Sequence, residues 1–124
     1  MSHRSVAENM SLVHARTCKS QPSHQHNMLE RIGIAKRAKS LPGQLSGGEL
    51  ARAGLAVALV CQTKILLLDE PTGEVDGETE ADILNMLGDF QREGGAIVIA
   101  THNAAAAKSA TRVIKMKDGK VSNG

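Results

Sequence analysis

The chain has 124 residues, which is enough for one small domain and too few for two independent hydrophobic cores. Its 15 basic and 13 acidic residues are mixed along the sequence and give a net charge of +2, so no charged stripe predicts binding to nucleic acid. The longest nearly unbroken apolar stretch, residues 53–61, is too short to cross a bilayer, and residues 1–20 lack the apolar centre of a secretory signal, so we expect a cytoplasmic protein.

The polar first third of the chain predicts short helices. Ser5 with Glu8 three residues later forms the capping-box pattern, which predicts a helix over residues 6–16. Turn-forming residues and a glycine then predict a loop, a second helix and another loop, at residues 20–23, 24–31 and 40–43 respectively. We therefore expect residues 1–44 to form a small helical subdomain.

Beyond residue 44, apolar runs alternate with helical patterns. Residues 65–68 form a continuous apolar run, which predicts a strand buried on both faces of a parallel sheet. Apolar side chains at residues 83–90 follow helical spacing, and residues 96–100 predict a second buried strand. The alternation of strand and helix indicates an α/β fold.

The end of the chain predicts a third strand and a hairpin. Residues 112–116 are expected to form the strand. The Asp118-Gly119 pair that follows favours positive φ angles in a tight turn, with a short return strand at Val121.

Three polar residues follow the two central strands directly. Asp69 and Glu70 come after the first strand and His102 after the second, and the carboxyl ends of parallel strands meet at one edge of a sheet. Adjacent carboxylates there suit a site for phosphate and metal, in which Asp69 holds a hydrated Mg²⁺, Glu70 polarises an attacking water and His102 meets the terminal phosphate. The alternative is that Asp69, Glu70 and Pro71 form only a polar turn.

The stretch LSGGE at residues 45–49 precedes a long apolar helical pattern. Ser46 can cap this helix, while Gly47 and Gly48 let a phosphate approach the exposed N–H groups at its positive end. The stretch therefore predicts a phosphate-binding helix start.

Together these residues resemble the ATP-binding subunits of ATP-binding-cassette (ABC) transporters over nearly the whole chain. The matching elements, in the order that family requires, are Gln44 before the signature motif, the signature Leu45-Ser46-Gly47-Gly48-Glu49, the Walker B strand at residues 65–69, the catalytic glutamate Glu70, the D-loop Glu74-Val75-Asp76 and the switch histidine His102. The segments at 69–73 and 112–121 look most like the lipoprotein-release and macrolide-export type. Asn103 departs from the pattern, because Asp is common after the histidine.

The chain contains no Gly-x-x-x-x-Gly-Lys-Ser/Thr sequence, and so no P-loop to cradle the phosphates. The resemblance therefore implies one incomplete nucleotide-binding domain: a partial P-loop NTPase (RecA-like) parallel sheet flanked by helices, with the helical subdomain at 1–44 and the signature helix and C-terminal half of the ATPase core at 45–124. In this family the P-loop strand lies between the strands predicted at 96–100 and 112–116. Both would lose their shared neighbour, so we expect a fragile chain that tends to self-associate.

The resemblance also implies partners and cofactors. ATP and Mg²⁺ would be held with a P-loop-bearing subunit, and Ser46, Gly47, Gly48 and Glu49 would complete the site of a second nucleotide-binding domain in a dimer. Asp76 would couple the two sites. A transmembrane permease would place the chain at the inner face of the cell membrane. The alternatives are a regulatory piece without catalysis and a truncated product without activity.

Overall fold

The structure is a computed structural model that describes residues 3–17 and 22–122, with the backbone alone at residues 14–17 and 22. Its elements in chain order are α1 Val6–Thr17, α2 Pro22–Arg31, α3 Gly47–Leu59, β1 Ile65–Asp69, α4 Gly77–Arg92, β2 Ala96–Ala100, α5 Ala104–Ser109, β3 Met116–Lys117 and β4 Lys120–Val121. Of the loop predicted at residues 20–23, residues 20 and 21 lie outside the described part of the chain, and the rest belongs to α2.

The first helices begin where local hydrogen bonding predicts. The N–H of Glu8 donates to Ser5 Oγ over 3.3 Å, and the N–H of Ser5 donates to Glu8 Oε2 over 2.6 Å, which confirms the capping box before α1. Helix α2 starts two residues earlier than predicted, because Pro22 fits a first helical turn that needs no N–H bond. The loop predicted at residues 40–43 is wrong in part, since Pro42–Gln44 forms a 3₁₀ turn.

Strands β1 and β2 pair in parallel, as the sequence predicts. Leu66 lies opposite Ile97, and Leu68 lies opposite Ile99. These four side chains point to one face, where they join a single buried cluster made of residues from α1 to α4. The fully buried side chains of Met10, Val60 and Ile83 lie in this cluster, so the predicted helical subdomain and the strand region share one core.

The prediction that the two central strands are buried on both faces is wrong. Leu66 is 4% exposed, whereas its neighbour Leu67 is 76% exposed, and Ile65 and Val98 are each 60% exposed. Side chains alternate between the two faces of a strand, so one face packs on the helices while the other meets solvent. We call Ile65, Leu67 and Val98 the open face.

The third strand is shorter than predicted. Residues 111–115 carry no helix or strand, and β3 pairs only with β4, Met116 lying opposite Val121. The predicted turn between them is confirmed, because Asp118 has φ +51° and Gly119 has φ +74°. A strand at 112–116 would need a neighbour to bond its peptide groups, and among the described residues β2 has β1 as its one neighbour.

Every described helix falls short of the length and hydropathy that a membrane-crossing segment requires.

Candidate functional site

The start of α3 is fixed by a second capping box. The N–H of Glu49 donates to Ser46 Oγ over 3.2 Å, and the N–H of Ser46 donates to Glu49 Oε2 over 3.0 Å. Arg37 Nε donates to the other oxygen of Glu49 over 3.0 Å. The Ser46 N–H, followed by Arg37, lowers the pKa of Glu49 below its ordinary value. Glu49 thus stabilises the conformation of the first turn of α3, while Ser46 itself remains exposed.

The two signature glycines pack closely on the segment before α4 and on the first turn of α4. A Cβ on Gly47 would lie 3.2 Å from the carbonyl oxygen of Glu74, and a Cβ on Gly48 would lie 3.0 Å from Thr79 Oγ1. The sequence predicts that these glycines let a phosphate approach the helix start. The structure adds a packing reason, because a larger residue at either position would push α3 away from this segment.

Gln44 and Asp76 both act as caps in this structure. Gln44 Oε1 accepts the N–H of Leu41 over 2.8 Å and closes the 3₁₀ turn before the signature. Asp76 Oδ1 accepts the N–H of Thr79 over 2.7 Å at the start of α4. This bond is the main reason that the pKa of Asp76 lies below its ordinary value. Both residues are exposed, Gln44 at the end of its 3₁₀ turn and Asp76 at the start of α4.

Glu70 is held by the turn that follows β2. The hydroxyl of Thr101 donates to Glu70 Oε2 over 2.8 Å, and the N–H of His102 donates to Oε1 over 3.1 Å. His102 Nδ1 lies 2.7 Å from the same Oε1. Glu70 has φ +45°, in the left-handed region that residues with side chains seldom adopt. The predicted convergence of Glu70 and His102 at one edge of the sheet is therefore confirmed.

Glu70 is the acidic partner in this contact. The Thr101 hydroxyl is the largest influence on the pKa of Glu70 and lowers it; the contacts from His102 also lower it, while partial burial opposes them. Glu70 is therefore ionised at neutral pH and can only accept hydrogen bonds. The proton between Glu70 and His102 must then lie on Nδ1 of the histidine.

Asp69 ends β1 opposite Ala100, and its residue is exposed. An exposed carboxylate at this position fits Mg²⁺, which proteins hold through one or two carboxylates together with waters and substrate phosphates. Residues 3–17 and 22–122 contain no cluster of three or more His, Cys, Asp or Glu that could hold a metal on its own. Any Mg²⁺ at Asp69 would therefore depend on waters and phosphate oxygens for its remaining ligands.

A groove of about 460 Å³ joins the signature helix to the end of β1. Gly47 and Leu50 line one side of the groove, and Asp69, Glu70 and Glu74 line the other. His102 and Asp76 lie outside it. A larger cavity of about 620 Å³ between α2 and the ends of α3 and α4 contains none of the predicted site residues.

Two residues next to the histidine were not predicted as site residues. Thr101 bonds Glu70 directly, and Asn103 bonds Glu80 of α4 over 2.6 Å. Thr101 could have been found from its place at the end of a strand beside a predicted site residue. Nothing local in the sequence indicates that Asn103 faces Glu80, because the two are 23 residues apart.

Residues 1–73 match the ABC transporter family. The chain belongs to that family. A macrolide export ATP-binding/permease protein MacB from Rhodospirillum rubrum is 38% identical over a match that covers 94% of this chain and 18% of the relative. MacB 1 from Aeromonas hydrophila is also 38% identical, over 82% of this chain and 16% of the relative. The chain thus spans less than a fifth of the length of these curated relatives.

Solved ABC structures share the fold. The dimeric ABC transporter cassette MJ0796 superimposes with a TM-score of 0.87 and 28% identity, covering 98% of this chain and 56% of that one. A second structure of the same cassette, dimeric and bound to ADP and Pi, gives a TM-score of 0.88 and 27% identity. The ABC family assignment and the P-loop NTPase fold predicted from the motifs are therefore confirmed. Nearly half of the solved cassette has no counterpart in this chain.

Proposed function

We propose that this chain is part of the ATP-hydrolysing domain of an ABC transporter of the MacB type, and that it supplies the signature motif, Walker B strand, D-loop and switch histidine but no P-loop. The observation that carries the proposal is the contact between Glu70 and His102 at the carboxyl ends of two adjacent parallel strands. A polar turn with capping value alone would not require this contact. The chain would work with a transmembrane permease at the cytoplasmic face of the membrane.

In this proposal Glu70 orients the attacking water. Its ionised carboxylate has about four acceptor sites, and the contacts from Thr101 and His102 use three of them, so it can also accept a hydrogen bond from a water. His102, with a side chain 90% exposed, can turn towards a terminal phosphate when it leaves Glu70. Asp69 would hold Mg²⁺ bound with ATP, and the ion supplies charge neutralisation on the phosphates.

The exposed start of α3 would serve a second domain. Ser46 and Gly47 are exposed and, with the half-buried Gly48, form the positive end of a 13-residue helix. In a head-to-tail dimer these residues and Gln44 would contact ATP held by the opposite domain, with Asp76 between the two sites. The dimeric state of the related cassette supports this arrangement.

The P-loop would come from a polypeptide segment that covers the open face. Three large apolar side chains there are at least 60% exposed, and this chain covers 56% of the solved cassette, which leaves 44% of that cassette without a counterpart here. The outer edge of β2 is also available. Ala96 N–H and Ala100 C=O bond towards β1, so the peptide groups of Ile97 and Ile99, which alternate with them, point away from β1. A parallel strand added there would end beside His102.

Coexpression with the amino-terminal, P-loop-containing segment of a related MacB ATP-binding domain tests this proposal. We expect a stable complex that releases phosphate from ATP, with phosphate release falling at least roughly a hundredfold for Glu70→Gln or His102→Ala. Glu30→Gln, an exposed change on α2, is the control and should leave the rate unchanged. Equal phosphate release by the wild type and Glu70→Gln would contradict the roles proposed here.

The same complex tests the covering of the open face. Leu67→Asp should prevent copurification of the two segments, because it places a charge in the buried interface. Asn27→Asp, an exposed change on α2 that adds the same charge, is the control and should have no effect. Self-association of the chain through Leu67 in place of complex formation would overturn the proposed partner.

A second candidate is a binding module without catalysis, which the missing P-loop sequence favours. This candidate predicts a complex with the permease or with an ATP-binding partner that is insensitive to Glu70→Gln in both assembly and phosphate release.

A further inference from the structure

Asn103 occupies the junction between the switch histidine, α4 and α5. Its Oδ1 accepts the N–H groups of Ala105 and Ala106, over 2.7 and 3.2 Å, and so caps α5. A backbone N–H can only donate, so these two bonds identify the oxygen of the amide. The amide nitrogen must therefore point to the other side.

On that other side the Nδ2 group meets acceptors from two different segments. It donates to Glu80 Oε1 of α4 over 2.6 Å and lies 3.4 Å from the hydroxyl of Thr72, a residue only 4% exposed in the turn after β1. The side-chain oxygen of Asn103 thus accepts hydrogen bonds from its own helix, while its side-chain NH₂ group donates to the elements that pack beside it. Aspartate could keep the first role but not the second, because its carboxylate has no donor.

The backbone of Asn103 continues the same network towards Glu70. Its N–H donates to Thr101 Oγ1 over 3.0 Å, and this hydroxyl in turn donates to Glu70 Oε2 over 2.8 Å. The hydroxyl proton is therefore committed to Glu70. A continuous chain of hydrogen bonds runs from Glu80 on α4 through Asn103 and Thr101 to Glu70.

We propose that Asn103 is a positioning residue, which fastens the Thr101–His102 turn to α4 and thereby holds Glu70 in place, and that Glu80 requires it to be neutral. An aspartate at position 103, the residue common at this position in ABC transporters, would set two carboxylates at hydrogen-bonding distance. Glu70 and His102 are the next charged or titratable groups along the network. The catalytic meaning of this positioning rests on the function proposed above, but the contacts themselves do not.

Four proteins separate the charge effect from simple loss of packing: the wild type, Asn103→Asp, Glu80→Gln and the double variant. At pH 7.5 we expect Asn103→Asp to lower the thermal midpoint by roughly 3–8 °C, since it replaces a hydrogen bond with a repulsion. The loss should shrink at acidic pH, where one carboxyl of the pair takes up a proton. Adding Glu80→Gln to the Asn103→Asp chain should restore the midpoint, because the glutamine amide can donate to the introduced carboxylate.

A readout at the site distinguishes positioning from general stability. The N–H of His102, bonded to Glu70 Oε1, should exchange with solvent about five- to tenfold faster in Asn103→Asp and return to the wild-type rate in the double variant. Asn27→Asp, an exposed change on α2, adds the same charge and should alter neither the midpoint nor this exchange rate.

Asn103→Ser provides a second route if Asn103→Asp does not fold. Serine can still cap α5, but it cannot reach Glu80 with an amide, so the His102 N–H should again exchange faster without any new charge. Unchanged exchange in Asn103→Ser, an unchanged midpoint in Asn103→Asp, or failure of Glu80→Gln to rescue would each overturn the proposal. None of these measurements involves ATP or a partner, so their outcome is independent of the test of hydrolysis.

Discussion

The two faces of the small parallel sheet have similar apolar sequences but opposite surroundings. Leu66 and Leu67 are adjacent and chemically identical, yet the first is 4% exposed on the helix-covered face and the second is 76% exposed on the open face. The difference teaches that the helices cover one face of the sheet, whereas the described residues leave the other face exposed to solvent. The open face therefore carries large apolar side chains that suit burial but meet solvent in this structure.

The largest expected effect compares these two leucines directly. Leu66→Ala should lower the free energy of unfolding by about 2–5 kcal/mol, because it opens a cavity in the core. Leu67→Ala should change it by no more than about 0.5 kcal/mol, since the side chain lies in solvent. Urea unfolding of both variants measures the two changes in the free energy of unfolding. Binding of the P-loop-containing segment should then make Leu67→Ala costly as well; equal costs in the isolated chain would refute the difference between the faces.

Two glycines of α3, a helix on the covered face of the sheet, differ in how closely their surroundings are packed. Gly54 has open space where a Cβ would lie, so Gly54→Ala should stabilise the chain by about 0.5–1 kcal/mol through higher helix propensity. Gly48→Ala should instead destabilise it by about 1–3 kcal/mol, because the new methyl group would lie 3.0 Å from Thr79 Oγ1. Thermal unfolding of the two variants gives the sign of each effect, and stabilisation by Gly48→Ala would show that α3 does not pack tightly on α4.

The smallest expected effect is a pH dependence from the exposed cap of α4. The pKa of Asp76 is below its ordinary value of 3.8 in the folded chain, chiefly because of the Thr79 N–H. Its contribution to stability is therefore present above pH 3.8 and is lost as the pH falls through the lowered folded pKa. Asp76→Asn keeps a capping oxygen but cannot titrate, so the loss of stability below pH 3.8 should be shallower than in the wild type when unfolding is followed across acidic pH.

Local hydrogen bonding explains what the sequence could predict. Ser5 with Glu8 and Ser46 with Glu49 place donor and acceptor within four residues, so both helix starts follow from their spacing. The Asp118-Gly119 turn depends on the conformational preference of two adjacent residues. The meeting of Glu70 and His102 required only that their strands be parallel neighbours.

The errors about the strands have a common physical cause. The exposure and the pairing of a strand depend on neighbouring segments that the pattern of apolar residues cannot reveal. A continuous apolar run such as residues 65–68 shows that a strand suits burial, but not whether both covering layers are present. Residues 112–115 carry strand-like side chains, yet a strand also needs peptide groups beside it. The bond between Asn103 and Glu80 likewise depends on the packing of α4 and could not be read from spacing.

The open outer edge of β2 runs directly into Thr101 and His102. In the proposed assembly, a segment that pairs with this edge would also bring its P-loop to the carboxylate of Glu70. Binding of the segment and activation of ATP hydrolysis would therefore be one event. A free copy of the chain would then be unable to hydrolyse ATP. The rate of ATP hydrolysis would then depend on the supply of the P-loop-containing segment, and no separate inhibitor of the free chain would be needed.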